Sequence, residues 1–207
     1  MHDVGWLEAI LTSLAAARPV FHSEADFQHA LAWELHRRHP EAVIRLEVRP
    51  DPELREAVDL RLVVGGVEIF VELKYLVRSL DLEISGERFV LRNQGAQPIS
   101  RYDVLKDIAR LERFCISGAR GFAVVLSNDP MVWSAGGSGT IDYAFRIHEG
   151  AELSGTMAWA PHTGAGTSRG RDVPIVLRGA YPVAWRPWPA NIPDEHGQFR
   201  FLVIEVC

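Results

Sequence analysis

VDLRLVVGGVEIFVELKY, the stretch from Val58 to Tyr75, contains two β-rich runs separated by Gly65-Gly66. A two-residue Gly-Gly loop between such runs predicts a β-hairpin with a tight turn. If the two glycines form the loop, Val64 lies opposite Val67, and the register of the whole hairpin is fixed. The stretch therefore predicts which side chains share a face and which residues are cross-strand neighbours.

The predicted register places Asp59 directly opposite Glu72. Side chains alternate between the two faces of a strand, so Lys74 points to the same side as Glu72. Two carboxylates directly across antiparallel strands have Cβ atoms about 5 Å apart and repel each other. A divalent cation such as Mg²⁺, held by one or two carboxylates and substrate phosphates, would offset that repulsion. The other face is apolar and consists of Leu60, Leu62, Val64, Val67, Ile69, Val71 and Leu73.

Asp59, followed after twelve residues by Glu72-Leu73-Lys74, resembles the active-site signature of the PD-(D/E)XK nuclease superfamily. The resemblance implies an α/β fold of restriction-endonuclease-like type, with an αβββαβ core and a central mixed sheet flanked by helices. It implies metal-dependent hydrolysis of phosphodiester bonds in nucleic acid. Asp59, Glu72 and the backbone carbonyl of Leu73 would bind Mg²⁺ or Mn²⁺, and Lys74 would align the nucleophile or neutralise phosphoryl charge.

The first acid of the signature has a rival in Asp51, which follows Pro50 as the literal motif does. Prolines on both sides of Asp51 interrupt strand pairing, whereas Asp59 lies on the strand that pairs with Glu72. We therefore favour Asp59, although Val58 replaces the proline of the family pattern.

Glu24 and Gln28 lie one turn apart on a helix predicted from about Glu24 to His39, with Ser23 as its cap. In many superfamily members the first core helix contributes a glutamate or glutamine to the edge of the metal site, and the resemblance gives Glu24 and Gln28 that role. The alternative for Glu24 is an acid favoured by the helix dipole in the first turn.

A chain of 207 residues with 47% hydrophobic content can form one domain, with a core over about 22–130 and a C-terminal elaboration over about 131–207. The net charge of −5 argues against a high-affinity, non-specific nucleic-acid binder. Of 22 basic residues only Lys74 and Lys106 are lysine, and a lysine, unlike an arginine, can release its proton near neutral pH.

Cysteine use favours a reduced, cytoplasmic protein, because Cys115 and Cys207 are too far apart in sequence to indicate a disulfide framework or a thiolate metal site. The apolar run from Trp6 to Ala17 contains Glu8 and is predicted to be a helix rather than a signal peptide. No segment approaches transmembrane length, so no membrane partner is expected.

The remaining elements follow from periodicity and turn residues. Two further segments, RYDVLKDIARLERF and VVLSNDP, resemble a bacterial branch of the superfamily. A helix is predicted within the first of them. This closer resemblance implies no substrate. The predicted elements are a strand over Val43 to Val48, a hairpin over Glu83 to Val90, a helix over Tyr102 to Phe114, and strands over Phe122 to Leu126, Tyr143 to Ile147, Ile175 to Leu177 and Phe199 to Val206.

The expected partner is nucleic acid, with DNA favoured, and one site per chain would require a homodimer to cut both strands together. Arg169 and Arg171 would contact phosphates or simply belong to a surface loop. Tyr181, Trp185 and Trp188 would stack on unpaired bases or cover the core. Two other functions stay open: a binding module without catalysis, and a phosphodiesterase for a small phosphorylated molecule.

Overall fold

A computed structural model of the chain describes residues 4–115 and 118–207. The helices are α1 (Gly5–Ala17), α2 (Glu24–Arg38), α3 (Gln97–Phe114) and the single-turn helices α4 (Pro130–Trp133) and α5 (Ala165–Ser168). The strands are β1 (Val43–Val48), β2 (Val58–Val64), β3 (Val67–Leu76), β4 (Leu80–Ile84), β5 (Glu87–Leu91), β6 (Arg120–Ser127), β7 (Glu152–Met157), β8 (Ile175–Pro182), β9 (Arg186–Pro187) and β10 (Arg200–Glu205).

The fold is α/β, with a mixed six-stranded sheet in the order β1-β2-β3-β6-β10-β9. Strands β3 and β6 are parallel, and the other neighbours in this sheet are antiparallel. Helix α3 provides the crossover between the two parallel strands. Two smaller antiparallel pairs, β4-β5 and β7-β8, lie outside the central sheet.

The predicted hairpin is confirmed as β2 and β3. Gly65 and Gly66 have φ angles of 57° and 78°, the left-handed conformation that a tight hairpin turn requires at both central positions. Val64 pairs with Val67, and the ladder continues in the predicted register as far as the pair of Leu60 with Val71.

Helix α2 begins where its sequence predicts. The Ser23 side chain accepts a hydrogen bond of 3.1 Å from the Asp26 backbone N–H, which satisfies one of the free donors of the first turn. The helix ends at Arg38, before Pro40. Glu24 is thereby fixed in the first turn, facing β3.

Helices pack on both faces of the central sheet. One core contains Leu73 and Tyr75 of β3 together with α1, α2 and the β4-β5 pair. The second core contains Phe70 of β3 together with α3 and the β7-β8 pair. Because α3 covers the face that carries Glu72, this carboxylate is buried, whereas Arg61 and Glu68 near the turn are partly exposed. Among the described residues, no helix is both long and apolar enough to cross a membrane.

The C-terminal segment completes the central sheet, because β10 pairs with β6. Two of its predicted features are confirmed: strands occur at β8 and β10, and three aromatic side chains are buried. The indole N–H groups of Trp185 and Trp188 donate to the backbone oxygens of Ile147 and Pro19. Tyr181 is buried as well. The prediction that these three aromatic side chains stack on unpaired bases is therefore wrong, and they cover the core instead. The strand predicted from Tyr143 is also wrong, since this segment forms a 3₁₀ turn over Tyr143–Phe145.

The cysteines require a correction, because Cys115 and Cys207 form a disulfide across 92 residues of sequence. Cys115 follows α3, and Cys207 follows β10. Antiparallel pairing brings the end of β10 beside the beginning of β6, close to the end of α3. Disulfides persist mainly in oxidising compartments. The bond therefore does not support the reduced, cytoplasmic environment that the cysteine spacing predicted.

Removing the disulfide is expected to lower the free energy of unfolding by about 2–4 kcal/mol, because the bond restricts a long loop of the unfolded chain. Urea unfolding of the parent and of Cys115→Ser/Cys207→Ser measures the effect. Reductant should destabilise the parent to the level of the variant and leave the variant unchanged. Equal midpoints for the oxidised parent and the variant would contradict the expectation.

Candidate active site

The structure brings every residue of the predicted site into one cluster at the end of the hairpin. Asp59 lies on β2, Glu72-Leu73-Lys74 on β3, and Glu24 and Gln28 on α2. Glu24 Oε2 accepts a 2.9 Å hydrogen bond from the Tyr75 backbone N–H. Gln28 Nε2 donates a 2.6 Å hydrogen bond to the Asp59 backbone oxygen. Both contacts attach the first turns of α2 directly to the strands that carry the signature.

Asp59 is joined to β3 through its side chain. Its Oδ2 atom accepts a 2.6 Å hydrogen bond from the Leu73 backbone N–H. The ladder between β2 and β3 extends from the turn to Leu60 and Val71, so this contact begins where the ladder ends. The predicted pair of Asp59 with Glu72 is not part of the ladder, and this side-chain hydrogen bond instead holds the Asp59 carboxylate beside the Glu72-Leu73-Lys74 segment.

The rival acid, Asp51, has a different role. Its Oδ1 atom accepts a 2.9 Å hydrogen bond from the Glu53 backbone N–H, and its backbone oxygen accepts from Leu54. These contacts stabilise the turn between β1 and β2. Asp59 is the acid that the structure joins to the second half of the signature.

Glu72 forms an ion pair that the sequence analysis missed. Both of its carboxylate oxygens accept hydrogen bonds of 2.6 Å from the Arg110 guanidinium of α3. Arg110 also donates a 2.7 Å hydrogen bond to Asp107 Oδ1. Only 1% of Glu72 is exposed, so this bidentate contact is shielded from water. The repulsion between Asp59 and Glu72 is thus offset by a side chain of the protein itself.

Lys74 is surrounded by oxygen atoms. Its Nζ atom lies 2.7 Å from Asp107 Oδ2, 3.1 Å from the Leu73 backbone oxygen and 3.9 Å from Glu24 Oε1. Burial opposes the charge on Lys74, but Asp107, Glu24 and Asp59 outweigh it and raise the pKa of Lys74 above its ordinary value. The surrounding carboxylates therefore favour the charged form of Lys74, which suits the stabilisation of negative charge.

Burial has the opposite effect on the acids of the cluster. It raises the pKa of Glu24 and of Asp59, against the opposing charge of Lys74. It also raises the pKa of Glu72, against the opposing contact with Arg110. Each of these carboxylates would ionise more readily beside an additional cation.

Gln28 connects the site to an unusual backbone conformation. Its Nε2 atom donates a 2.8 Å hydrogen bond to Glu47 Oε1 as well as bonding to Asp59. Glu47 has a φ of 52°, a left-handed conformation that costs a non-glycine residue about 1–3 kcal/mol. Gln28 therefore positions β1 and β2 through its amide group, at the edge of the cluster.

A divalent cation fits the charge of this site but not its present hydrogen bonding. Within residues 4–115 and 118–207, no three His, Cys, Asp or Glu side chains are arranged to hold a metal. Arg110 engages both oxygens of Glu72, and backbone N–H groups engage Asp59 and Glu24. The cluster nevertheless has two more carboxylates than cations, and its oxygen donors are those that Mg²⁺ and Mn²⁺ prefer. Its carboxylates are Glu24, Asp59, Glu72 and Asp107, and its cations are Lys74 and Arg110.

The chain matches no protein-family model, and no curated protein matches it. The geometry of the cluster is therefore the basis for assigning a function.

Mg²⁺ or Mn²⁺ is expected to stabilise the protein more at pH 8 than at pH 5. The folded-state pKa of Glu24, Asp59 and Glu72 is raised, so the stability these groups contribute is present at acid pH. That stability is lost as the pH rises from the ordinary values of 3.8 for Asp and 4.5 for Glu through the folded-state values. Thermal unfolding with metal or EDTA at both pH values measures the difference. An equal metal effect at both would contradict it.

Proposed function

We propose that this chain is a metal-dependent nuclease of restriction-endonuclease-like fold that hydrolyses phosphodiester bonds in nucleic acid, with DNA as the expected substrate. The observation that carries the proposal is the hydrogen bond from the Leu73 N–H to Asp59, which holds both halves of the signature together. The element order α2, β1, β2, β3, α3, β6, with the separate β4-β5 pair inserted after β3, supports it, because it agrees with the αβββαβ core that the resemblance implies.

Asp59, Glu72 and the Leu73 carbonyl would hold the metal. When bound, Mg²⁺ or Mn²⁺ lowers the pKa of a coordinated water and offsets charge on the phosphate. Lys74, fixed by Asp107, would stabilise the negative charge that develops on the phosphoryl oxygens. Glu24 would act as a positioning residue through the Tyr75 N–H, and Gln28 through the Asp59 backbone.

The proposal is tested by incubating purified protein with duplex DNA, single-stranded DNA, single-stranded RNA and a small aromatic phosphodiester. Each substrate is combined with Mg²⁺, Mn²⁺ or EDTA. We expect cleavage of at least one nucleic acid with metal and none with EDTA. Hydrolysis of the small diester alone would favour an enzyme for small phosphorylated molecules, and no hydrolysis of any substrate would contradict the proposal. Paired cuts in duplex DNA would additionally require a homodimer, which sedimentation detects.

A second candidate is a nucleic-acid-binding or partner-binding module that keeps the fold without catalysis. Its specific support is Arg110, which already neutralises the Glu72 carboxylate in a bidentate contact. Such a module would be stable without metal and would leave Glu72 paired with Arg110 when it binds its partner. Calorimetric titration with Mn²⁺ separates the two functions, because the nuclease requires a bound metal and the module does not.

A further inference from the structure

The polar face of α3 extends beyond the carboxylate cluster. Asp103 lies one helical turn before Asp107, so the two side chains are neighbours on this face. Asp107 holds Lys74 and Arg110 inside the cluster, whereas Asp103 lies at its rim with 40% of its side chain exposed. Asp103 thus marks the place where the site meets solvent.

Arg171, from the Gly- and Ser-rich loop after β7, reaches this rim. Its Nε atom lies 3.9 Å from Asp103 Oδ1. The distance is too long for a hydrogen bond, and both side chains are partly exposed, so the pair is weak and easily exchanged. In contrast, Arg110 makes two contacts of 2.6 Å with a buried carboxylate.

The backbone around Arg171 is held in place even though the loop is polar. The Trp159 indole N–H donates a 3.0 Å hydrogen bond to the Arg171 backbone oxygen. Trp159 in turn stacks on Tyr102 of α3, with ring centroids 5.6 Å apart, and meets Phe145 edge-on at 4.7 Å. The loop therefore presents Arg171 to the rim from a fixed position beside α3.

Three cations surround Asp103. Burial raises the pKa of Asp103, and the neighbouring Asp107 adds to that rise. Arg171, Lys74 and Lys106 oppose the rise in pKa. Lys106 follows Asp103 by three residues on α3 and is exposed. The two lysines of the chain are thus both close to this single acid, together with Arg171. Arg171 is partly exposed and Lys106 is exposed, so the rim presents two cations to solvent beside the acidic cluster.

We propose that Arg171 and Lys106 form a phosphate anchor, which binds a backbone phosphate of the nucleic acid next to the scissile one. Asp103 occupies the anchor when substrate is absent, and the incoming phosphate takes its place. The inference rests on the proposed function, because it assigns the anchor to the substrate of the same site. It divides the site into an acidic part that would hold the metal and a rim whose two cations hold the substrate.

Binding of a fluorescent 12-nucleotide single-stranded DNA, followed by anisotropy in EDTA over a series of salt concentrations, tests the anchor without hydrolysis. We expect Arg171→Gln to weaken binding about tenfold and to reduce the salt slope by about 1. Arg171→Lys should retain most of the affinity. Asp103→Asn should strengthen binding, because it removes the competing carboxylate.

Arg169→Gln is the matched control, since Arg169 is exposed on the same loop two residues away. It should change binding little. The anchor is wrong if the parent binds no oligonucleotide, if Arg171→Gln binds as the parent does, or if Arg169→Gln has the same effect as Arg171→Gln. Equal thermal midpoints of the variants exclude misfolding as the cause.

The outcomes also separate the anchor from the proposed function. Binding that depends on Arg171 in a protein that cleaves no phosphodiester would support the anchor and overturn the nuclease. The opposite result would be metal-dependent cleavage that requires Glu72, together with DNA binding whose affinity and salt slope do not change in Arg171→Gln. That result would support the nuclease and overturn the anchor.

Discussion

Replacing Glu72 with glutamine is expected to lower metal-dependent cleavage by about 10³-fold or more, because it removes the negative charge that would hold the metal while keeping the shape of the side chain. Cleavage of labelled DNA under single-turnover conditions measures the loss. Glu68→Gln is the matched control, since Glu68 lies on the same strand and pairs with Arg61 near the hairpin turn. The control should cleave as the parent does.

Lys74→Ala should produce a loss similar to that of Glu72→Gln, because Lys74 is the cation that β3 presents to the cluster. Circular dichroism and thermal unfolding of both variants show whether the fold is intact. Folded variants that cleave at the parent's rate would show that the Glu72-Leu73-Lys74 segment is not the active site, whatever nuclease activity the parent has.

Replacing Arg110 with methionine is expected to have the largest effect on stability. In EDTA the free energy of unfolding should fall by about 3–5 kcal/mol, because Glu72 and Asp107 lose a buried partner. Mn²⁺ should restore much of that loss, and the variant should bind Mn²⁺ more tightly than the parent, since the oxygens of Glu72 are released. Urea unfolding with and without Mn²⁺ measures both effects.

Arg113→Met is the control for Arg110→Met, because Arg113 follows one turn later on α3 and pairs with Glu56 at the surface. Its substitution should cost no more than about 1 kcal/mol, the usual scale of an exposed ion pair. If Arg110→Met is destabilised and Mn²⁺ restores none of the loss, Arg110 has only a structural role, and the binding module without catalysis gains support.

The hairpin was predictable from sequence because its determinants are local. Gly65-Gly66 specifies the turn, and alternation of apolar residues specifies the buried face, so the pairing of Val64 with Val67 followed directly. The ladder ends at Leu60 and Val71, and a side-chain hydrogen bond from the Leu73 N–H then holds Asp59 beside the Glu72 segment. The cap at Ser23 similarly fixed the position of Glu24.

Arg110 and Asp107 were not predicted as site residues, because their role depends on tertiary packing. Periodicity along α3 identifies its polar face but does not state which strand that face covers. The crossover from β3 to β6 places this face over Glu72. The sequence does contain one signal for these residues. Asp107 and Arg110 are three residues apart on the helix, so Arg110 can pair with Asp107 and with a carboxylate of the sheet at the same time.

The disulfide was missed for a related reason. Spacing between Cys115 and Cys207 carries little information when 92 residues separate them, and the bond depends on the antiparallel pairing of β10 with β6. The strand prediction at Tyr143 was wrong for a different reason. The aromatic and apolar residues of this segment suit a strand, but Phe145 packs into the core from a 3₁₀ turn and Ile147 from the chain that follows it.

The most direct test of the active site is calorimetric titration of the parent with Mn²⁺ in the presence of a non-hydrolysable oligonucleotide analogue. The proposal predicts one Mn²⁺ per chain, with binding lost in Asp59→Asn and in Glu72→Gln and retained in Glu68→Gln. A parent protein that binds no Mn²⁺, or that binds it equally well after both substitutions, would contradict the assignment of Asp59 and Glu72 as a metal site.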